Sequence, residues 1–308
     1  MRVRVPLIVS FIVLFAAASA HADIELHQEH IFSARTGVTV VVDVSFHDVE
    51  VEARPGDTVD VTVDVDVKGS GSSSKNALNQ LQPKFLEEGN KLIIRSTRKK
   101  GFSWKSVSAK GRVTVKMPPG MNLIVDASSG STVISGDFGD AVIRFDASSG
   151  SLTVDGAMRE LHSDTSSGSV RAVVNRPLDV FTADASSGSA RLSGGAHKVI
   201  FDTSSGSATL TGLLGNASFD SSSGSISAKW DAIPAGAKVR ANASSGSVTL
   251  RFPAGTAFTG SVDVSSGGIH SDFPGFVRGK NNLKFDGGPE AVDIEVDTSS
   301  GSVKLLAN

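Results

Sequence analysis

The chain has 308 residues, with 30 Lys+Arg against 32 Asp+Glu, 32 Gly, 16 Phe, 2 Trp, and neither Tyr nor Cys. An apolar share of 39% beside that much glycine is enough to bury a core, which argues against wholesale disorder. A formal charge of −2 gives no positive excess for nucleic acid or an anionic membrane surface. The lack of cysteine removes disulfides, thiol catalysis, cysteine-ligated zinc and a lipid-anchored N-terminal cysteine.

The first segment reads as an address. Arg2 and Arg4 precede an apolar run from Leu7 to Ala18, and Ala20-His21-Ala22 has the small-x-small pattern that a signal peptidase accepts. The run is shorter than the roughly 20 residues that cross a bilayer, and no later stretch approaches that length. Residues 1–22 are therefore expected to be a signal peptide and the mature chain to begin at Asp23, with no transmembrane segment. The expected location is periplasmic, secreted or cell-surface associated.

Residues 23–119 form an irregular region, expected to cap a regular solenoid. Asp57 to Val67 alternates acid and valine as a half-exposed strand, since strand side chains point to opposite faces with period two. Ser70 to Ser74 is a polar linker, and Asn76 to Leu86 could form a short helix until Pro83 interferes. Leu92 to Arg95 and Arg112 to Lys116 read as further strands. Pro118-Pro119-Gly120 marks the entry to a regular repeat.

From residue 120 to 308 the repeat dominates. Ser-Ser-Gly recurs with its glycine at 130, 150, 168, 188, 206, 224, 246, 267 and 301, at intervals of 20, 18, 20, 18, 18, 22, 21 and 34. The last interval suggests a worn copy at Phe285-Asp286-Gly287-Gly288. Aspartate stands four positions before the glycine at 126, 146, 164, 184, 202, 220, 263 and 297, with Asn242 replacing it once. After the turn, Leu152 and Val154 point inward, and the same parity holds for Val170/Ala172, Ala190/Leu192, Ala208/Leu210, Ile226/Ala228 and Val248/Leu250. Glycine suits a left-handed or strained corner, and serine hydrogen-bonds readily within turns. A unit of about 20 residues with two short strands cannot close a core alone, whereas stacked copies bury a continuous one. The expected fold is all-β, a parallel β-solenoid whose turns advance about 4.8 Å each. An antiparallel sandwich of hairpins is the rival reading. Asp43 to Val51 aligns with Asp146 to Val154, which carries the first turn back to about Gly37 and sets His47 in a glycine place. Histidine is among the residues enriched at positive φ, so the exchange is tolerable there.

The aspartates should form one outward row. Unit charges about 4.8 Å apart repel by about 0.9 kcal/mol in water and about 3.5 kcal/mol at an effective dielectric of 20, so something should neutralise them. The simplest expectation is that each carboxylate accepts N–H groups of its own turn. Calcium shared between rungs is the competing one, though its site needs six to eight oxygens. The serine columns cannot pair directly across that spacing, and they present a regular hydrated surface that could order water or meet a glycan. Ser72-Ser73-Ser74-Lys75 fits S-x-x-K by letter without the companion motifs. His27 and His30 could chelate only if ordered, and His47, His162, His197 and His270 sit in different turns with no shared acid. Residues Lys91 to Lys116 carry nine basic side chains around Phe102 and Trp104, and the loop Arg98 to Lys116 is the best candidate for an acidic envelope partner. No catalytic, cofactor-binding or metal-ligating residue is assigned, and no cofactor is expected.

The stretch Val113 to Asp126 (VTVKMPPGMNLIVD) leading into Ser-Ser-Gly, the serial Ser-Ser-Gly-Ser turns, and the closing Ile294 to Leu305 (IEVDTSSGSVKL) resemble the adhesin-like β-strand-repeat family of bacterial envelope proteins, a domain of unknown function. The resemblance covers about Gly37 to Leu305. It implies an adhesin-like role and carries no catalytic residues over. His47 and the last interval depart from the pattern and leave the register of the terminal turns open. The functional expectation is a non-enzymatic, exported structural or interaction module of the cell envelope. Its partner would be an envelope polymer or protein, and end-to-end self-association through Lys304 to Asn308 is possible. The alternative is a ligand-binding solenoid that uses the Asp/Ser corner row for calcium, glycan or ice. A polysaccharide-cleaving β-helix would need convergent carboxylates that the repeat does not concentrate.

Overall fold

The computed structural model describes residues 10–15, 24–69, 72–96, 108–277 and 281–308. The chain divides into two compact units, Met1–Gly156 and Ala157–Asn308. Of the expected export segment, only β1 lies within the described residues.

The first unit contains β1 (Ser10–Phe15), β2 (Ile24–Ser33), β3 (Thr39–Val44), β4 (His47–Ala53), β5 (Thr58–Lys68) and the helix α1 (Ser72–Leu81). It continues with β6 (Lys84–Glu88), β7 (Lys91–Arg95), β8 (Ser108–Met117), β9 (Asn122–Ala127), β10 (Ser131–Asp137), β11 (Val142–Ala147) and β12 (Ser151–Ala157). One sheet runs β1-β2-β5-β8-β4-β10-β12 and the other β11-β9-β3-β7-β6. Each lap lays one strand in each sheet with the Ser-Ser-Gly corner between them. Thus β9 turns at Gly130 into β10, and β11 returns beside β9 with Asp146 on Asp126 and Ala147 on Ala127. The earlier lap β3–β4 obeys the same register. Asp43 stands on Asp126 and Val49 on Thr132. Inward residues Val40, Val42, Leu123, Val125, Ile143 and Phe145 are buried from one sheet, facing Val49, Val51, Ile134, Leu152 and Val154 from the other. Antiparallel pairs occur where the sequence loses the repeat, between β2 and β5, β5 and β8, and β6 and β7.

The helix begins earlier than expected and takes in Ser72 to Ser74. It packs on β5 and β2 and buries Ala77 and Leu81. Pro83 lies just beyond its last residue, where a proline ring can no longer clash with a helical carbonyl.

The second unit contains β13 (Glu160–Thr165), β14 (Val170–Val174), β15 (Leu178–Ala185), β16 (Ala190–Ser193), β17 (Ala196–Thr203), β18 (Ala208–Leu213), β19 (Asn216–Ser223) and β20 (Ile226–Trp230). Then come β21 (Lys238–Ser245), β22 (Val248–Phe252), β23 (Phe258–Ser266), β24 (Ile269–Ser271), β25 (Phe276–Val277), β26 (Asn282–Asp286), β27 (Val292–Ser300) and β28 (Val303–Ala307). The sheets run β14-β16-β18-β20-β22-β28-β24 and β13-β15-β17-β19-β21-β27-β23-β26-β25. All repeat strands pair in parallel, which fits the β-solenoid and not the sandwich of hairpins. Down the stack two neighbouring phenylalanines are flanked on both sides by alanine. Ala183 lies beside Phe201, Phe201 beside Phe219 and Phe219 beside Ala241, so successive rungs interdigitate. Trp230 stacks on Phe252 with centroids 4.5 Å apart, and its Nε1 donates to the Gly215 carbonyl at 2.8 Å.

The end of the chain departs from simple coiling. The last lap, β27–β28, inserts between the laps of Gly246 and Gly267: β27 pairs β21 on one side and β23 on the other. The expected worn copy at Phe285 to Gly288 is not a rung. Phe285 and Asp286 end β26, which runs antiparallel to β23. Gly288, at φ +85°, and Pro289 then turn the chain back before a strand can form in the other sheet. Lys304 to Ala307 belong to the strand β28. That strand is flanked along its length by β22 and, over Val303 to Leu305, by β24.

The corner glycines are needed for proximity rather than handedness. Only Gly130, Gly267 and Gly301 of the Ser-Ser-Gly series have positive φ. At Gly206, by contrast, an added Cβ would lie 1.6 Å from the carbonyl oxygen of Gly188 on the adjacent rung. The backbones of successive corners touch, and only hydrogen fits between them.

Candidate functional site: the aspartate and serine face

The outward row exists as an in-register column in each unit. Asp43, Asp126 and Asp146 follow one another in the first unit. In the second the order is Asp164, Asp184, Asp202, Asp220, Asn242, Asp297 and Asp263. The chain order of the last two is reversed because β27 is inserted. Exposed serines of the corners accompany the aspartates, and backbone bonds from corner to corner hold them in step. Ser187 N–H donates to the Ser166 carbonyl at 3.0 Å and Ser205 N–H to Ser186 at 2.9 Å.

The carboxylates do not neutralise themselves on their own turns. The corner backbone is bonded instead by the next residue, whose side chain points inward: Thr203 Oγ1 accepts the Gly206 N–H at 2.9 Å, and Thr165 Oγ1 donates to the Gly168 carbonyl at 3.2 Å. A buried hydroxyl reaches the corner from the concave side, which the outward carboxylate cannot do. The column therefore retains its repulsion. Partial burial and then the neighbours Asp164 and Asp202 push the Asp184 carboxyl above its ordinary value. Asp126 is raised by burial, Asp43 and Asp146, against the pull of Arg95, and Asp297 by burial, Asp263 and Glu295. Relief comes at the ends. Arg95 Nε donates to Asp43 at 2.6 Å, while Asp263 accepts from Ser261 Oγ at 3.0 Å and from Asn282 Nδ2.

In the second unit the column borders a groove of about 640 Å³, with Asp220, Asn242, Asp297 and Asp263 along it and Asn281 and Asn282 beside Asp263. The two asparagines escaped sequence reasoning because β26 is antiparallel and outside the repeat grammar; the polar Asn281-Asn282 pair next to a short strand was the available signal. Among the described residues, no group of three or more His, Asp or Glu converges as a metal ion requires.

The remaining candidates separate. Being three residues apart on one strand, His27 and His30 face opposite sides of β2 and cannot chelate one ion. His27 Nδ1 is 2.6 Å from Asp64 Oδ1, a contact that raises its pKa. His30 is buried and stacks on Phe85 at 4.5 Å. His47 keeps the register of a corner glycine, yet its φ is not positive and its ring is fully buried. Burial pushes that imidazole down to about 4, against weaker pulls from the Leu81 backbone and Asp48. His162 Nε2 lies 3.1 Å from Glu160 Oε2 and its Nδ1 3.2 Å from Thr182 Oγ1, and among the described residues no acid joins it to the other histidines. Glutamate two residues away on the same strand shares its face. His270 likewise meets Asp272 at 3.2 Å. Ser72 to Lys75 opens α1. In the basic run, Arg98, Lys99, Lys100, Phe102, Trp104 and Lys105 lie outside the described residues. Of the described part, Arg95 pairs with Asp43 and Arg112 with Glu50 at 3.6 Å.

A fold of parallel rungs with an acid at all but one of the column positions, Asn242 being the exception, presents a repetitive surface. The chain belongs to the Toastrack DUF4097 family, whose model matches residues 40–306. Among solved structures it is similar to a "Putative lipid binding protein" from Parabacteroides distasonis, at 16% identity and a TM-score of 0.53, covering 90% of this chain and 96% of that one. A "putative adhesin" from the same organism is 16% identical, with a TM-score of 0.43 and the same coverages. A "putative adhesin" from Bacteroides fragilis is 11% identical, with a TM-score of 0.38 and coverages of 91% and 97%. No curated protein matches. Among the described residues, no helix is long and apolar enough to cross a membrane.

Proposed function

We propose that this chain is an exported, non-enzymatic interaction module of the bacterial cell envelope, and that its working surface is the aspartate and serine face. The observation that carries the reading is the in-register column, which repeats one carboxylate and its serines on nearly every rung. A polymer with repeating units meets such a column many times over, and weak contacts then add through effective concentration. A hydroxyl-rich envelope glycan is the partner that suits it, since carboxylates, hydroxyls and the Asn281–Asn282 amides all bond to hydroxyl groups. Residues 23–119 serve as the cap and 120–308 as the regular solenoid.

The test is retention of the purified chain on isolated envelope glycan. The triple substitution Asp184→Asn, Asp202→Asn and Asp220→Asn keeps shape and removes charge, as Asn242 already does within the column. Retention should fall at least about tenfold, a loss of about 1.4 kcal/mol, with the circular dichroism spectrum unchanged. Undiminished retention would refute the face as the binding surface. A calcium titration followed by melting separates the ion-binding version, which requires a gain of about 2.7 kcal/mol at a hundredfold excess over Kd.

A further inference from the structure

The outer strands of the two units are built differently. In the second unit the outermost strands are β24, of three residues, and β25, of two. Short edge strands protect a sheet from pairing with another chain. In the first unit β2 is ten residues long and pairs β5 without a break, from Ile24 on Val67 to Ser33 on Thr58. It contains no Pro, Gly or Lys, the residues that commonly blunt an edge. Its other edge is occupied by β1 alone, antiparallel from Ser10 on His30 to Phe15 on Glu25. All of β1 falls within residues 1–22, the segment that the sequence marks for removal on export.

We propose that loss of residues 1–22 opens the β2 edge and that β2 of a second copy takes it, antiparallel and two-fold symmetric about Gln28. This inference rests on the export reading above. β1 demonstrates that the edge accepts an antiparallel strand. The register follows from charge and parity. Keeping both cores on the same side of the joined sheet requires opposed residues of equal parity. The two longest such registers pair residues 24–32 about Gln28 or 25–33 about Glu29. The second sets Glu29 against its own copy, and like charges directly opposed destabilise a pair. The first sets His27 against Glu29 of the other copy twice over. It also meets an independent need. Gln28 is 5% exposed and its Oε1 has no hydrogen-bond partner, although buried polar atoms are nearly always paired. About the two-fold axis each Gln28 amide faces the other, and Nε2 of one donates to Oε1 of the other.

The experiment uses residues 23–308, purified, with mass measured by light scattering after size exclusion. A dimer is expected. Because the chain has no cysteine, Gln28→Cys should yield a covalent dimer under mild oxidation, whereas Ser33→Cys should not. Consecutive strand residues direct their N–H groups to opposite edges. One of Gln28→Pro and Glu29→Pro therefore removes a donor from the open edge, spares the β5 ladder, and should give a folded monomer. A monomeric 23–308 chain, or equal cross-linking of the two cysteine variants, overturns the dimer alone. N-terminal sequencing of the exported protein separates the failures: a retained leader overturns the export reading and the dimer together, because β1 then keeps the edge.

Discussion

Substituting Gly206 by alanine is the sharpest perturbation the stack offers. Its Cβ would meet the Gly188 oxygen at 1.6 Å, the Gly188 carbonyl carbon at 2.8 Å and Thr203 Oγ1 at 2.8 Å. Ordinary contact needs about 3.5 Å, so the two corners must part by roughly 1.5–2 Å against a rung spacing of about 4.8 Å. Such a shift cannot preserve the bond from Gly206 N–H to Thr203 Oγ1 or that from Ser205 N–H to the Ser186 carbonyl, both 2.9 Å. Overpacking costs about 1–3 kcal/mol and each buried group left unpaired about 1–3 kcal/mol more, so a loss of about 3–5 kcal/mol is expected. At about 2–4 °C per kcal/mol, the melting temperature should drop by roughly 10 °C or more. The control is Gly268→Ala, which meets nothing within 4 Å and lies outside the positive-φ region. That variant should melt within about 1 kcal/mol of the parent. Urea and thermal unfolding followed by far-ultraviolet circular dichroism measure both. If the two variants lost equal stability, or Gly206→Ala lost less than about 1 kcal/mol, the contact between corner backbones would not be what requires glycine.

Further outcomes stem from buried and crowded groups. His47 is held at about 4 when folded against 6.5 when free. The unfolded chain therefore binds the extra proton first; stability is full above pH 6.5, falls between about 6.5 and 4, and by pH 4 is lower by about 3 kcal/mol. His47→Leu should flatten that part of a melting-against-pH curve, and an unchanged slope would show that another group titrates there. Asp184 is raised in the fold by burial and its neighbours, so protonation favours the folded state and the column stabilises as pH falls through its titration. Asp184→Asn should raise the melting temperature at pH 7, by a margin that shrinks in acid; a margin independent of pH would contradict the repulsion. Trp230→Phe leaves the Gly215 carbonyl without its indole donor and should lower the urea midpoint by the equivalent of about 1–3 kcal/mol. No change in that midpoint would mean that the carbonyl finds another donor.

The repeat was legible because a corner carries its own constraint: glycine where backbones touch, aspartate outward, and alternation on both sides. His47 could be placed in register by alignment alone, since Asp43 and Val49 follow the same grammar. What could not be read was any choice among partners of equal chemistry. The chain at β27 could stack on either side of the Gly267 lap, and no local signal distinguishes a rung placed last from one inserted beside β21. The role of the inward Thr203 hydroxyl was equally hidden, because outward aspartates look better suited to a turn until the corner's geometry is known. Asn281 and Asn282 border the groove through an antiparallel pairing that depends on where β23 ends up, and β23 is positioned by the inserted lap.

Like residues of successive laps stand next to one another in parallel. A chain without cysteine allows a direct test by pairwise substitution. Asp184 and Asp202 are register partners on adjacent strands, and neighbouring Cα atoms in a sheet lie within the roughly 4.4–6.8 Å that a disulfide spans. Asp184→Cys with Asp202→Cys should oxidise to an internal disulfide in the folded chain, while Asp184→Cys with Arg191→Cys, which places the second thiol on the opposite sheet, should remain reduced. Failure of the first pair to close, or equal closure of both, would contradict the stacking of the laps.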